Sequence, residues 1–83
     1  MILEFENSDG NRKTIGNPET VQEAFKIINA FLDEHSYRSY YKRINFYDDE
    51  WEIDCGSWNE LFYLSDLPED ALDQLNSKED NNE

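Results

Sequence analysis

The sequence predicts an α+β fold: a small single domain with an N-terminal β-hairpin, one long amphipathic helix packed on a three-stranded antiparallel meander, and a short C-terminal helix. Its 83 residues allow one domain with one small core. Apolar residues recur at spacings of three and four in one segment and alternate with polar residues in others, which are the periods of helices and strands. Hydrophobic content is only 37%, but the aromatic side chains can each bury about 150–250 Å² and offset this shortage.

The first residues predict the hairpin. Ile2–Glu6 has strand character, and the Asp9-Gly10 pair in the polar cluster that follows is a strong turn signal. Arg12–Ile15 can then return as the second strand of the pair.

The most regular segment predicts a helix from Pro18 to about His35. Asn17 suits the N-cap, Pro18 suits the first helical position, and Glu19 places negative charge in the first turn, where the helix dipole favours it. A single apolar stripe follows, formed by Val21, Ala24, Phe25, Ile28, Phe31 and Leu32. We expect this stripe to cover one face of the sheet.

The second half of the chain predicts the meander. Its strands and the turns between them are expected at Tyr40–Tyr47, Asp48–Glu50, Trp51–Cys55, Gly56–Asn59 and Glu60–Leu64. Trp51, Ile53 and Cys55 alternate with Glu52 and Asp54, so the first three should face the core and the two acids the opposite side. Cys55 is therefore expected to be a buried core thiol.

The C-terminal residues predict a short helix and a tail. Ser65–Pro68 opens the helix, whose apolar side is expected to consist of Leu67, Ala71, Leu72 and Leu75. Residues 77–83 contain no apolar side chain and are expected to be a disordered acidic tail, so that residues 1–76 form the domain.

Charge is distributed very unevenly along the chain. Residues 1–47 carry 7 acidic and 6 basic side chains, whereas residues 48–83 carry 13 acidic side chains and one lysine, a net charge of −12. Such a field repels polyanions and anionic membranes and attracts basic surfaces. Basic surfaces in a cell belong mostly to proteins that bind nucleic acid, and this is the class of partner that the sequence indicates.

Features of the whole chain indicate a reducing cytoplasm and a low-GC genome. Cys55 is the only cysteine, which excludes an intrachain disulfide, and no segment has the pattern of a signal peptide or of a transmembrane helix. Residue types with AT-rich codons (Phe, Tyr, Met, Ile, Asn and Lys) greatly outnumber those with GC-rich codons. A low-GC bacterium or one of its phages fits this usage.

No arrangement of residues predicts catalysis, a metal site or a cofactor. A calcium loop that began at Asp48 would need glycine at its sixth position and glutamate at its twelfth, where the chain has Ile53 and Asn59. There is no glycine-rich phosphate loop and no paired Cys/His spacing. A nuclease this acidic would repel its own substrate. We therefore expect no enzyme.

One small basic and aromatic segment resembles a stacking platform for nucleic acid. It consists of Tyr37, Arg38, Tyr40, Tyr41, Lys42 and Arg43. Three cations beside so negative a field do not favour nucleic-acid binding, and we expect them instead to pair with acidic side chains of the neighbouring strand.

The predicted partner-binding surface is acidic. Glu50, Glu52 and Asp54 alternate on a strand and would project on one side about 6.5–6.8 Å apart. A row of carboxylates with this spacing could occupy a partner's groove whose lysine and arginine side chains otherwise bind phosphates. The other residues that we expect to contact a partner are Asp48, Asp49, Glu60, Asp66, Glu69, Asp70 and Asp73, with Tyr47 or Trp58 as an aromatic anchor. A simple solubilising role for the same acids stays open.

A short chain with a strongly acidic face and no catalytic motif resembles phage-encoded inhibitors that mimic nucleic acid, such as anti-CRISPR proteins. The resemblance rests on the character of the whole chain, and its most suggestive segment is Asp48–Asp54. The resemblance implies a non-enzymatic inhibitor whose acidic surface blocks a basic nucleic-acid-binding protein, for example a CRISPR effector. Two alternatives stay open: an immunity protein or antitoxin that neutralises a nuclease toxin, and a phage accessory or adaptor protein. A homodimer through edge strands is also compatible with the sequence.

Overall fold

Five strands and two helices are formed in the computed structural model, which describes residues 1–34, 43–56 and 61–76. In chain order they are β1 (Ile2–Glu6), β2 (Arg12–Gly16), α1 (Val21–Glu34), β3 (Arg43–Phe46), β4 (Glu50–Asp54), β5 (Leu61–Ser65) and α2 (Ala71–Asn76). All strand pairs are antiparallel and form one sheet in the order β2-β1-β5-β4-β3. The α+β class is confirmed, and β3, β4 and β5 form an antiparallel meander, but the sheet has five strands rather than three because the hairpin extends it through β1.

The hairpin joins the sheet through β1, which pairs with β5. Leu3 lies opposite Leu64 and Phe5 opposite Phe62, so the apolar face of β1 continues the apolar face of β5. An isolated two-stranded hairpin is marginally stable in water, whereas a third strand and a shared apolar face stabilise it. This long-range pairing explains why β1 lies inside the sheet, between β2 and β5.

The core lies between this apolar face and the buried stripe of α1. Its buried residues are Leu3, Val21, Ala24, Ile28, Leu32, Trp51, Ile53, Cys55, Phe62, Leu64 and Ala71. Three rings connect the helix to the sheet: Phe31 lies with its centroid 4.6 Å from that of Phe5 and 5.7 Å from that of Phe62. The predicted apolar stripe and the buried thiol of Cys55 are both confirmed.

The helix begins three residues later than the sequence suggested. Thr20 is its N-cap, because its Oγ1 accepts a hydrogen bond of 3.0 Å from the backbone N–H of Glu23. The Glu23 carboxylate in turn accepts one of 2.7 Å from the backbone N–H of Glu19. Pro18 is buried before the helix, where its carbonyl accepts a hydrogen bond from the Met1 ammonium. Asn17 and Pro18 are therefore not the cap and first position.

Thr20→Ala is expected to lower the free energy of unfolding by about 1 kcal/mol, since it leaves the Glu23 N–H without its acceptor. For a domain of this size that change corresponds to a melting temperature about 4–8 °C lower. Thr20→Ser is the matched control because it keeps the hydroxyl. Equal losses in both variants, measured by thermal unfolding, would show that the methyl group rather than the cap stabilises this end.

Candidate acidic interaction surface

The strand row, defined as Glu50, Glu52 and Asp54, lies on the face of the sheet opposite α1. Trp51 and Ile53 between them are buried in the core, and the three acids are half-buried. The predicted alternation along β4 is therefore confirmed. The register of the sheet places the row among side chains of the neighbouring strands rather than in open solvent.

Glu52 contacts side chains on both sides of it. Its Oε1 accepts a hydrogen bond of 2.8 Å from the Asn45 amide of β3, and its Oε2 lies 2.9 Å from the hydroxyl of Tyr63 in β5. The same hydroxyl lies 2.9 Å from a carboxylate oxygen of Glu6 in β1. A phenol has one proton to donate, so Tyr63 donates to either carboxylate and links three strands.

Tyr63 is only 6% exposed although it lies on the polar face. The guanidinium of Arg12 covers it, with its Cζ 3.6 Å from the ring centroid, in a cation–π contact. Burial of the phenol raises the pKa of Tyr63 well above its usual value, and the nearby carboxylates of Glu6 and Glu52 raise this pKa further. The phenol therefore stays protonated and available as a donor.

The remaining acids of the strand row form ion pairs. Arg12 Nη1 lies 3.2 Å from Glu50 Oε1, and Arg43 Nη2 lies 3.6 Å from Asp54 Oδ2. Burial lowers the pKa of Arg12, but the hydrogen bonds to Glu50 and Glu4 and the charges of Glu50 and Tyr63 together outweigh this effect and raise the pKa overall. Asp54 also accepts a hydrogen bond of 2.8 Å from the backbone N–H of Gly56. Each member of the row thus has an intramolecular partner.

The predicted internal pairing of the basic segment is confirmed for Arg43, which faces Asp54 across the β3–β4 ladder. The other residues of the basic segment, Tyr37, Arg38, Tyr40, Tyr41 and Lys42, lie outside the described residues. The same is true of Trp58 and Glu60 from the predicted partner-binding set and of residues 77–83.

A second group of predicted acids differs from the strand row in its surroundings. We call this group the exposed acids: Asp48, Asp49, Asp66, Glu69, Asp70 and Asp73, all of which are exposed. Asp70 accepts a hydrogen bond of 3.1 Å from the Gln74 amide. Within residues 1–34, 43–56 and 61–76, the side chains of the other five form no hydrogen bond or ion pair.

Two short segments carry the exposed acids. Between β3 and β4 the backbone N–H of Tyr47 donates a 3.0 Å hydrogen bond to the Glu50 carbonyl and closes a turn that projects Asp48 and Asp49. After β5 the chain turns at Asp66, whose φ of 57° is left-handed, a conformation that aspartate tolerates better than most residues. Asp48 and Glu69 line the same cleft, so the two segments lie next to each other there.

The orientation of α2 corrects one prediction. Gln74 holds the helix against α1, since its side-chain oxygen accepts a 2.7 Å hydrogen bond from the backbone N–H of Val21 and its carbonyl accepts one from the Gln22 amide. Ala71 is buried on this side, but Leu72 is 54% exposed rather than part of the apolar side. Because α2 has only six residues, a single face of it packs on the rest of the domain, and Leu72 does not lie on that face.

The aromatic residues of this region differ in how far they are exposed to solvent. Tyr47, an expected anchor, is 53% exposed, and Trp51, an expected core residue, is 4% exposed. Phe46 is 52% exposed and was not among the predicted contact residues. The sequence contained little sign of this exposure. Phe46 lies on the same strand face as the half-buried Ile44, so the alternation of β3 predicts a core position for it.

Comparison of the chain with protein-family models, curated proteins and solved structures gave no match. In the parts of the chain that the structure describes, no helix is long and apolar enough to cross a membrane. Among those same residues, no three His, Cys, Asp or Glu side chains lie in a group that could hold a metal ion. Among the described residues, Asp48 and Glu69 line their cleft together with apolar side chains such as Phe46 and Leu67.

Proposed function

We propose that this protein is a non-enzymatic inhibitor that occupies a basic nucleic-acid-binding surface of another protein in place of nucleic-acid phosphates. The observation that carries the proposal is the concentration of charge: a net −12 in residues 48–83, with five described carboxylates that are exposed and have no partner in the described structure. These carboxylates can bind lysine and arginine side chains of another protein without breaking any contact inside this one.

The exposed acids are better suited to direct contact than the strand row. Glu50, Glu52 and Asp54 already bind Arg12, Tyr63 and Arg43, so contact with a foreign cation would have to replace those interactions. Their predicted role in partner binding remains a proposal. In this account they contribute mainly to the negative field, while the turn and α2 segments make the contacts.

The mechanism is electrostatic competition. The negative field steers the protein towards a cationic groove and raises the association rate, an effect that weakens as salt rises. Once bound, fixed carboxylates satisfy the lysine and arginine side chains that would otherwise bind phosphates, and the groove is closed to nucleic acid. The target class that we propose is a CRISPR effector or another defence nuclease of a bacterial host, with inhibition taking place in the host cytoplasm.

The direct test is capture of the partner from a lysate of the host on immobilised protein. We expect one basic nucleic-acid-binding protein to be retained at about 50 mM salt and largely released at about 200 mM, the range over which phosphate-type contacts weaken steeply. Mass spectrometry identifies it. A neutral partner that salt does not release would contradict the proposal, and a dedicated nuclease toxin encoded beside this protein would indicate an antitoxin instead.

A further inference from the structure

Three exposed, large apolar side chains converge on one place. Phe46, Tyr47 and Leu72 are the exposed large hydrophobic residues in the described parts of the chain, and all three line a single cleft. Isolated apolar residues on a surface are ordinary, but a cluster of them marks an interaction site. They come from β3, the β3–β4 turn and α2, so the fold itself assembles the cluster.

The cleft has an apolar floor and an acidic rim. Its volume is about 340 Å³, and buried Trp51 and Ala71 form part of its base with the half-buried Leu67 and Pro68. Phe46 packs edge-to-face on Trp51, with ring centroids 5.1 Å apart, and is therefore held in place before any partner arrives. The two charged residues of the lining, Asp48 and Glu69, are both exposed acids.

We propose that this cleft binds an apolar side chain of a partner protein, in a segment where lysine or arginine flanks that side chain. The apolar lining suits the hydrophobic residue, and Asp48 and Glu69 are placed for the flanking cations. This inference rests on the proposed function and names the feature of the target that the inhibitor recognises. Carboxylates alone would bind any cationic groove, whereas a filled apolar cleft supplies a hot spot and thus specificity.

Charge and composition favour this occupant over three others. A second copy of the chain would bring another net charge of −13 to the acidic rim, and like charges in contact oppose association. Residues 77–83 of the chain itself have no apolar side chain with which to fill the cleft. A nucleobase would bring phosphates against Asp48 and Glu69.

The probes for this cleft are three short peptides, acetylated and amidated at their ends. The first, Arg-Lys-Leu-Phe-Lys-Arg, has the proposed chemistry; Arg-Lys-Ser-Ser-Lys-Arg keeps only its charge, and Asp-Glu-Leu-Phe-Glu-Asp keeps only its apolar centre. In amide chemical-shift titrations of the ¹⁵N-labelled protein, we expect the first peptide to shift Tyr47, Asp48 and Leu72. The other two should bind at least tenfold more weakly. Equal binding of both basic peptides, or shifts spread over all acidic segments, would overturn the proposal.

Two variants locate the binding. Tyr47→Ser and Leu72→Ser remove exposed side chains, so each is expected to keep its melting temperature while the first peptide binds at least fivefold more weakly. Ala30→Ser, on the exposed side of α1, is the matched control and should bind as the parent protein does. Unchanged binding in both cleft variants would also overturn the proposal.

The cleft proposal and the mimicry proposal can each be contradicted without the other. If the first peptide occupies the cleft but the captured partner still holds its nucleic acid, the cleft proposal stands and nucleic-acid mimicry is wrong. If the peptide does not bind but the captured partner loses its nucleic acid, mimicry stands and the cleft proposal is wrong.

Discussion

Replacing four of the exposed acids by amides is expected to weaken binding to the captured partner about 100-fold without harming the fold. The four changes are Asp48→Asn, Asp49→Asn, Glu69→Gln and Asp73→Asn. Contacts between partly exposed charges are worth about 0.2–1 kcal/mol each, so four contacts of about 0.7 kcal/mol correspond to about 100-fold, since about 1.4 kcal/mol is tenfold in affinity. None of the four carboxylates has an intramolecular partner in the described residues, so their loss should leave the melting temperature unchanged or raise it by easing repulsion.

The matched control carries four amide changes elsewhere on the surface. They are Asp9→Asn, Glu19→Gln, Asp33→Asn and Glu34→Gln, all at exposed positions. This variant has the same net charge as the first, so it loses the same long-range steering but keeps the proposed contacts. We expect less than about threefold weaker binding, measured by titration calorimetry. Equal losses in the two variants would show that total charge, rather than this end of the molecule, decides binding.

Glu52→Lys is expected to lower the free energy of unfolding by about 2–3 kcal/mol. The change removes the acceptor of the Asn45 amide and one acceptor of the Tyr63 hydroxyl. It also places an ammonium group on the face where Arg12 covers the Tyr63 ring. For a domain of this size we expect a melting temperature about 10–20 °C lower, measured by circular dichroism.

Glu69→Lys is the matched control for charge reversal at a position without a described partner. Its free energy of unfolding should lie within about 0.5 kcal/mol of that of the parent. The opposite result would be informative: a stable Glu52→Lys variant that no longer binds the partner would place the strand row in direct contact with it. The structural role that the contacts of Glu52 indicate would then be wrong.

Local periodicity was sufficient to predict the helices and strands but not how they pair and pack. The stripe of α1 and the alternation of Trp51 and Ile53 with the strand row follow from spacing alone, and both are confirmed. The pairing of β1 with β5 joins residues almost sixty positions apart, and no local period encodes it. The start of α1 was readable, since Thr20 and Glu23 have the spacing of a capping box, but Asn17 and Pro18 are also good start signals.

The same limit applies to the candidate surface: its residues could be proposed from the sequence, but their contacts could not. The sequence identified the acids and Tyr47, but it could not distinguish carboxylates with partners from those without. That distinction depends on Tyr63, which lies opposite Glu52 in the β4–β5 ladder, and on Arg12 of β2, which reaches Glu50 only through the β1–β5 pairing. The cleft was not predicted, because the exposure of Leu72 follows from the way α2 docks on α1.

The measurement that tests the central claim most directly is competition for the captured partner. The purified partner is loaded with a fluorescent nucleic acid that it binds, and this protein is added while anisotropy is followed. We expect stoichiometric release of the nucleic acid, and no release at the same concentration by the four-amide variant of the exposed acids. A ternary complex, in which the partner holds the protein and the nucleic acid together, would contradict nucleic-acid mimicry.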